Sequence, residues 1–205
     1  MEGSARLTNG RTVEMASVLA KLMTAEEFYD FVNEPRNRDR HFELEAGEVV
    51  KVSRPNELHC VVCGNGVGVL WTYVRQRKKG YVCSHDMGLV LERDPDTVRG
   101  PDISVYLENR KLKELETKWP KRIPKLIVEV MSPNDRMSKM LKRIANFLKK
   151  GVAMAWLLDP EDETLTIFTP NREPIVLERD EEVSGLKLLP DFRCKVSDFF
   201  GMSGE

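Results

Sequence analysis

The chain has 205 residues, 41% of them hydrophobic, which is enough to bury one core and predicts a single main domain. Its 32 basic and 33 acidic residues give a net charge of −1, so overall charge does not mark the chain as a nucleic-acid binder. The sequence contains no run of 18 apolar residues and no apolar signal-peptide core, which predicts a cytoplasmic protein without a membrane partner. In such a reducing compartment its four cysteines are expected to be free thiols.

The N-terminal part of the chain divides into a leader and the start of a domain. Residues 1–14 are polar and aperiodic, and we expect them to be a disordered or loosely attached leader to a domain spanning 15–205. Thr24 and Glu27 have the spacing of a capping box, which predicts a helix over 25–33.

Further along, helical and strand-like segments alternate. Two β-like runs, 41–44 and 48–52, surround Gly47 and predict a hairpin. Helices are expected over 58–77 and over 136–150. Other strands are expected at 81–83, 88–92, 102–107, 125–131, 155–158 and 165–168. This order indicates an α+β (mixed α/β) fold with a helix on each face of a sheet.

Two acidic residues lie within or beside these apolar strands. Asp102 precedes the run Ile103 to Tyr106, and Glu129 is surrounded by Leu, Ile and Val. An ionised carboxylate in such a place is costly unless it is paired or bound to a metal ion. Two strand carboxylates can share one hard cation such as Mg²⁺. A turn aspartate and a solvent-facing strand glutamate would explain the same pattern without a metal.

An ordered set of motifs between Met23 and Phe200 makes the chain resemble a known family. The motifs are Met23 to Phe28, Phe42 to Glu48, Ser53 to His59, Asp86 in its strand, Pro101-Asp102, Val128 to Pro133, Gly151-Val152, Trp156 and Asp159-Pro160. In these the chain resembles the putative restriction endonuclease family, abundant in cyanobacteria, of the PD-(D/E)XK nuclease superfamily. The resemblance implies a restriction-endonuclease-like central mixed β-sheet flanked by helices. It also implies Mg²⁺-dependent hydrolysis of DNA phosphodiester bonds, with Mn²⁺ able to substitute, and Asp102 and Glu129 as metal ligands.

Three more residues fall at positions of family motifs. Glu43 is included as a catalytic acid that completes the coordination sphere or positions water, although an edge-strand glutamate at the surface explains it equally. Asp86 is included as a metal ligand. The alternatives are that it is hydrogen-bonded to a ligand without touching the metal, or that its hydrogen bonds are only structural. His59 is assigned to nucleic-acid binding, where it would touch phosphate or orient an acid, and a structural hydrogen bond is its alternative.

The superfamily's lysine is missing two residues after the second acid, where this chain has Met131. The resemblance places its substitute on the following helix, at Arg143. The apolar stripe of that helix puts Arg143 near the buried edge, whereas Lys142 points away and Lys139 lies farther from the stripe. We therefore predict that Arg143 stabilises the charge of the transition state, while Lys139 and Lys142 bind nucleic acid. A guanidinium can hold phosphate but cannot act as a general base.

Two alternatives to a DNA-cleaving enzyme remain open at this stage. Met131, Arg143 and Met154 depart from the family pattern and leave room for a catalytically impaired protein that only binds nucleic acid. If the acids are structural, the chain is an interaction module.

A homodimer is expected for an enzyme that cuts both strands of a duplex, and no organic cofactor is expected. The pair Cys60 and Cys63 lacks a second cysteine or histidine pair at zinc-site spacing and is interpreted as helical core thiols.

Overall fold

The computed structural model describes residues 22–133 and 135–202. The predicted leader, 1–14, lies outside this range, so the division into a leader and a domain over 15–205 stays a prediction. None of the helices in the described part is long and apolar enough to cross a membrane.

Helices and strands alternate along the described chain. The helices are α1 (Ala25–Asn33), α2 (Glu57–Gln76) and α3 (Met137–Lys150), with two 3₁₀ turns at Leu112–Glu114 and Val196–Phe199. The strands are β1 (His41–Glu45), β2 (Glu48–Val52), β3 (Tyr81–Ser84), β4 (Leu89–Glu92), β5 (Thr97–Arg99), β6 (Ile103–Tyr106), β7 (Leu126–Val130), β8 (Met154–Asp159), β9 (Thr164–Phe168), β10 (Ile175–Leu177), β11 (Glu182–Gly185) and β12 (Leu189–Lys195).

Local sequence signals determine the ends of several elements. The capping box at the start of α1 is present, because the Thr24 side chain accepts from the Glu27 backbone and the Glu27 side chain accepts from Thr24. The hairpin of β1 and β2 turns at Ala46 and Gly47, both with positive φ. Helix α3 ends at Gly151, whose φ of 112° is a left-handed conformation that glycine adopts without strain.

The central sheet has the strand order β10-β9-β8-β7-β6-β3. Strands β7 and β8 run parallel and the other neighbours run antiparallel, so the sheet is mixed. A second sheet, ordered β2-β1-β5-β4, carries α1, and β11 pairs with β12. The predicted α+β fold with a central mixed sheet flanked by helices is confirmed.

The two long helices cover opposite faces of the central sheet. Alternate residues of β7, beginning with Leu126 and Val128, pack in one core cluster with α2. Ile127 points to the other face and packs in a cluster with Ile144 and Phe147 of α3. Because side chains alternate along a strand, Glu129 shares the face of Ile127 and points toward α3.

Several expectations from the sequence need correction. Asp86 lies in the loop between β3 and β4, not in a strand. His59 lies in the first turn of α2, within the helix predicted over 58–77. Asp102 is one residue before β6. Met137 and Leu141 belong to the apolar stripe predicted to be the buried face of α3, but they are exposed, whereas Met140, Ile144 and Phe147 of that stripe are buried. Strands β5, β10, β11 and β12 were not predicted, since they are short or contain polar residues.

Candidate metal and nuclease site

The candidate site lies where β6 begins and β7 ends. Ile103 pairs with Val128 in the antiparallel register, so the next pair outward along the strands is Asp102 and Glu129. The sheet therefore places the two acids that the sequence singled out side by side, 27 residues apart in the chain.

Asp102 is held by bonds from both sides. Its Oδ2 accepts a hydrogen bond of 2.7 Å from the backbone N–H of Val130. Its Oδ1 lies 3.1 Å from Nε2 of His59, and Nδ1 of the same imidazole lies 3.2 Å from Oγ of Ser132. The backbone N–H of His59 donates to the N-cap residue Asn56, which fixes the start of α2. The carboxylate is thus oriented before any ligand arrives.

Glu129 belongs to a network centred on Arg143. Nε of Arg143 donates to Oε1 of Glu129 over 2.8 Å, and its Nη1 donates to Oε1 of Glu43 over 2.6 Å. Nη2 of Arg143 donates to the backbone carbonyl of Gly100. The other oxygen of Glu43 accepts from Arg99 over 2.8 Å. The guanidinium therefore joins β1, β7, α3 and the loop before Asp102.

Burial sets the electrostatics of this network. Complete burial raises the pKa of Glu129 to about 8, against the opposing charge of Arg143, and Asp102 adds to the rise. Burial by itself would lower the pKa of Arg143, but Glu129 and Glu43 outweigh it and raise that pKa above its ordinary value. Glu129 is 3% exposed and Arg143 17%, so this pair is largely removed from water. The fixed cation Arg143 therefore opposes the effect of burial on Glu129.

Asp86 and His59 respond to the same charges. Burial raises the pKa of Asp86, and the neighbouring Asp102 adds to the rise. Burial lowers the pKa of His59, but the hydrogen bond and charge of Asp102 outweigh it, so the net shift is upward. A Cβ on Gly100 would collide with the backbone carbonyl of Asp86, so the glycine lets the Asp86 loop approach the residues before Asp102.

The structure brings together most of the residues that the sequence singled out. Asp102, Glu129, Arg143, Glu43 and His59 are connected through the contacts above, and Asp86 is near enough for its charge to act on His59. Lys139 and Lys142 are exposed on α3, and the inward direction of Arg143 agrees with the helical geometry.

Sequence reasoning missed four contributors to the site. Arg99 binds Glu43 and also lies 3.1 Å from Glu45. Ser132 is the partner of His59, and the carbonyl of Gly100 is a partner of Arg143. Cys63 is the fourth, because it faces His59 and Asp102. The position of Arg99 directly before the Gly-Pro-Asp motif, and that of Cys63 one helical turn after His59, were available signals.

Comparisons with known proteins identify the family of this chain. Residues 25–197 match the model of the Uma2 family, described as a putative restriction endonuclease. The chain belongs to this family. Among solved structures, a putative nuclease belonging to DUF820 from Anabaena variabilis ATCC 29413 is similar, with a TM-score of 0.73 and 23% sequence identity. The match covers 87% of this chain and 97% of that one. No curated protein matches the chain significantly.

Membership of the Uma2 family gives the general class of activity. The family is described by a nuclease activity, which means hydrolysis of phosphodiester bonds. The likeness to the Anabaena variabilis structure supports a restriction-endonuclease-like nuclease fold.

Proposed function

We propose that this Uma2 protein is a Mg²⁺-dependent endonuclease that hydrolyses DNA phosphodiester bonds, with Asp102 and Glu129 as the metal ligands. The observation that carries the proposal is that the two acids meet where β6 begins and β7 ends, because Oδ2 of Asp102 accepts a hydrogen bond from the backbone N–H of Val130, the residue after Glu129. Their carboxylate oxygens are the donors that Mg²⁺ prefers, so the donor set fits a hard cation. Mn²⁺ accepts the same oxygen donors.

When bound, Mg²⁺ would polarise the scissile phosphate and lower the pKa of an attacking water. The chain prepares this chemistry through the bonds that hold its acids. The Val130 N–H and His59 orient Asp102, and Arg143 supplies the counter-charge that favours ionised Glu129 and forms an ion pair with Glu43. Glu43 then completes the coordination sphere or positions the attacking water, and the carboxylate of Asp86 serves as a further metal ligand.

Arg143 has two successive duties in this proposal. In the described structure its guanidinium donates to Glu129, Glu43 and Gly100, so it neutralises the buried acids. These three bonds use three of the five N–H groups of the guanidinium, so a second N–H on Nη1 or Nη2 can donate to a phosphate while both ion pairs stay intact. An arginine retains its positive charge throughout because its pKa lies far above neutral pH.

The DNA backbone would be bound by the exposed cations of α3. Lys139 and Lys142 project from the helix that carries Arg143, and no acid lies between residues 136 and 150. Each phosphate contact releases counterions, so affinity should fall steeply with salt. His59 contributes to phosphate binding only when its ring leaves Asp102. A homodimer would place two such sites on the two strands of a duplex.

Nicking of supercoiled plasmid tests the proposal. Wild-type protein should nick with Mg²⁺ or Mn²⁺ and not with EDTA, and Asp102→Asn and Glu129→Gln should each lower the rate by at least about a hundredfold because a metal ligand is lost. Asp30→Asn makes the same chemical change at an exposed position of α1 and should leave the rate unchanged. Equal rates in Asp102→Asn and Asp30→Asn would refute the assignment.

Binding measurements separate the enzyme from its alternatives. DNA affinity across a salt series should weaken in the double variant Lys139→Gln, Lys142→Gln and change less in Lys149→Gln, Lys150→Gln, the matched pair at the far end of α3. Salt-dependent binding without nicking would favour the impaired nucleic-acid binder. Neither binding nor nicking, with no metal uptake by calorimetry, would favour the interaction module. Sedimentation of the free protein and of its DNA complex tests the expected homodimer.

A further inference from the structure

A second set of ligand atoms lies on the α2 side of Asp102. His59 and Cys63 are four residues apart on α2, so their side chains lie one above the other on one helix face. A nitrogen of His59, the sulfur of Cys63 and a carboxylate oxygen of Asp102 all lie within 4.8 Å of one another. Among residues 22–133 and 135–202, this is the one set of three or more such ligands that meets that distance.

The spacing is close to what a small cation needs. Metal–ligand bonds of about 2.0 to 2.3 Å in a tetrahedral site put neighbouring ligand atoms about 3.5 Å apart. Nε2 of His59 and Oδ1 of Asp102 are already 3.1 Å apart. The ligand atoms lie within 4.8 Å of one another, so the sulfur has to approach by about 1.3 Å at most, which rotation of the Cys63 side chain would supply, and a water would fill the fourth position.

Supporting hydrogen bonds already orient two of the three ligands. Oγ of Ser132 lies 3.2 Å from Nδ1 of His59 and can accept a hydrogen bond from an Nδ1–H, and in that tautomer the Nε2 lone pair can bind a metal ion. Ligating histidines almost always have such a partner on the second ring nitrogen. The Val130 N–H holds Oδ2 of Asp102 and directs Oδ1 toward the histidine. These bonds are what a preformed metal site requires.

The identity of the donors selects the type of cation. A nitrogen, a thiol sulfur and one carboxylate oxygen suit Zn²⁺ and similar thiophilic ions such as Co²⁺ and Cd²⁺, whereas Mg²⁺ requires oxygen. Burial raises the pKa of the Cys63 thiol, and Asp102 adds to the rise, so binding must release a proton. The cost of releasing this proton lowers the affinity for the cation, and the affinity should therefore increase with pH.

We propose that His59, Cys63 and Asp102 form a site for a thiophilic divalent cation of the Zn²⁺ class, and that occupation of this site withdraws Asp102 from the Mg²⁺ position. Zn²⁺ would then inhibit DNA cleavage. The binding of the cation stands independently of the proposed function, and only the inhibition rests on it.

Optical titration with Co²⁺ and Cd²⁺ tests the binding on the full chain. Metal-free, reduced wild-type protein should gain a thiolate-to-metal charge-transfer band that saturates at about one equivalent, as three protein ligands and one site require. Cys63→Ser should abolish the band, and Ser132→Ala should weaken binding about 10- to 100-fold through the lost support of His59. Cys60→Ser, which removes an exposed thiol three residues away, should leave the band unchanged.

The controls keep the test decisive. His59→Gln should weaken Co²⁺ binding as Cys63→Ser does, and circular dichroism shows whether each variant is folded. A band that persists in Cys63→Ser, or that Cys60→Ser removes equally, would overturn the proposal, as would wild-type protein that shows no band.

Inhibition is measured separately in the plasmid assay. Stoichiometric Zn²⁺ should suppress Mg²⁺-dependent nicking by wild-type protein, and Cys63→Ser should resist that suppression. If wild-type protein binds Co²⁺ through Cys63 but never nicks DNA, the proposed function fails and the cation site stands. If it nicks DNA and Zn²⁺ suppresses Cys63→Ser equally, the shared use of Asp102 is refuted.

Discussion

The most informative perturbation of this protein is Arg143→Met. Methionine keeps an unbranched side chain that can pack on Phe147, whose ring lies 5.6 Å from the guanidinium carbon, but it removes the charge and all the hydrogen bonds. Glu129 would lose its arginine partner, whose charge opposes the rise in pKa that burial causes. Glu43 would keep its ion pair with Arg99. The variant therefore isolates the contribution of one buried counter-charge.

The size of the effect follows from burial. Removing one partner of a buried ion pair costs about 3 to 5 kcal/mol, because the remaining charge is left in the protein interior. The acid left without a partner is Glu129, which is 3% exposed, whereas Arg143 is 17% exposed and partly meets water, so where Glu129 is ionised the expected loss is at the lower end, about 3 kcal/mol. Lys142→Met, on the exposed side of the same helix, should cost at most about 0.5 kcal/mol.

The pH dependence has a definite sign. The pKa of Glu129 is about 8 in the folded protein and 4.5 ordinarily, so the folded state binds more protons between these values and stability falls as pH rises through them. Loss of Arg143 removes an interaction that lowers this pKa, so the pKa of the variant should be higher still. The cost of Arg143→Met should therefore be smaller near pH 5, where Glu129 is protonated in both proteins, than near pH 8.

Urea denaturation in EDTA at several pH values measures these differences. The double variant Arg143→Met, Glu129→Gln should recover much of the lost stability, because it removes the buried charge together with its partner. A cost equal to that of Lys142→Met, or one that shrinks as pH rises, would refute the view that Arg143 is the counter-charge of Glu129.

Three further predictions concern packing, thiols and capping. Gly100→Ala should lower the free energy of unfolding by about 1 to 3 kcal/mol, since the new methyl group meets the Asp86 carbonyl. Gly64→Ala has open space in α2 and should raise it by about 0.5 to 1 kcal/mol, so an equal effect at both positions in urea melts would contradict the structure. In a kinetic assay with a disulfide reagent, exposed Cys60 should react first, and Cys194, whose pKa burial raises to about 12, should be slow. Thr24→Ala should cost about 1 kcal/mol through loss of the α1 cap, and an unchanged melting curve would disprove that role.

Local signals in the sequence determined much of this protein. The capping box of α1, the hairpin turn at Gly47 and the end of α3 at Gly151 depend on neighbouring residues, and each prediction was confirmed. The helical stripe likewise gave the inward direction of Arg143 and the exposure of Lys142, because the 3.6-residue period is a local property. The family also followed from the order of short motifs.

The tertiary structure decided which of these residues meet. Glu43 and Arg143 are 100 residues apart in the chain, and His59 and Asp102 are 43 apart, so their contacts depend on strand order and on how α2 and α3 cover the sheet. The place of Asp86 in a loop and the parts played by Arg99, Ser132 and Cys63 arose in the same way. Periodicity assigns a residue to a face, but only the packed sheet determines its partner across that face.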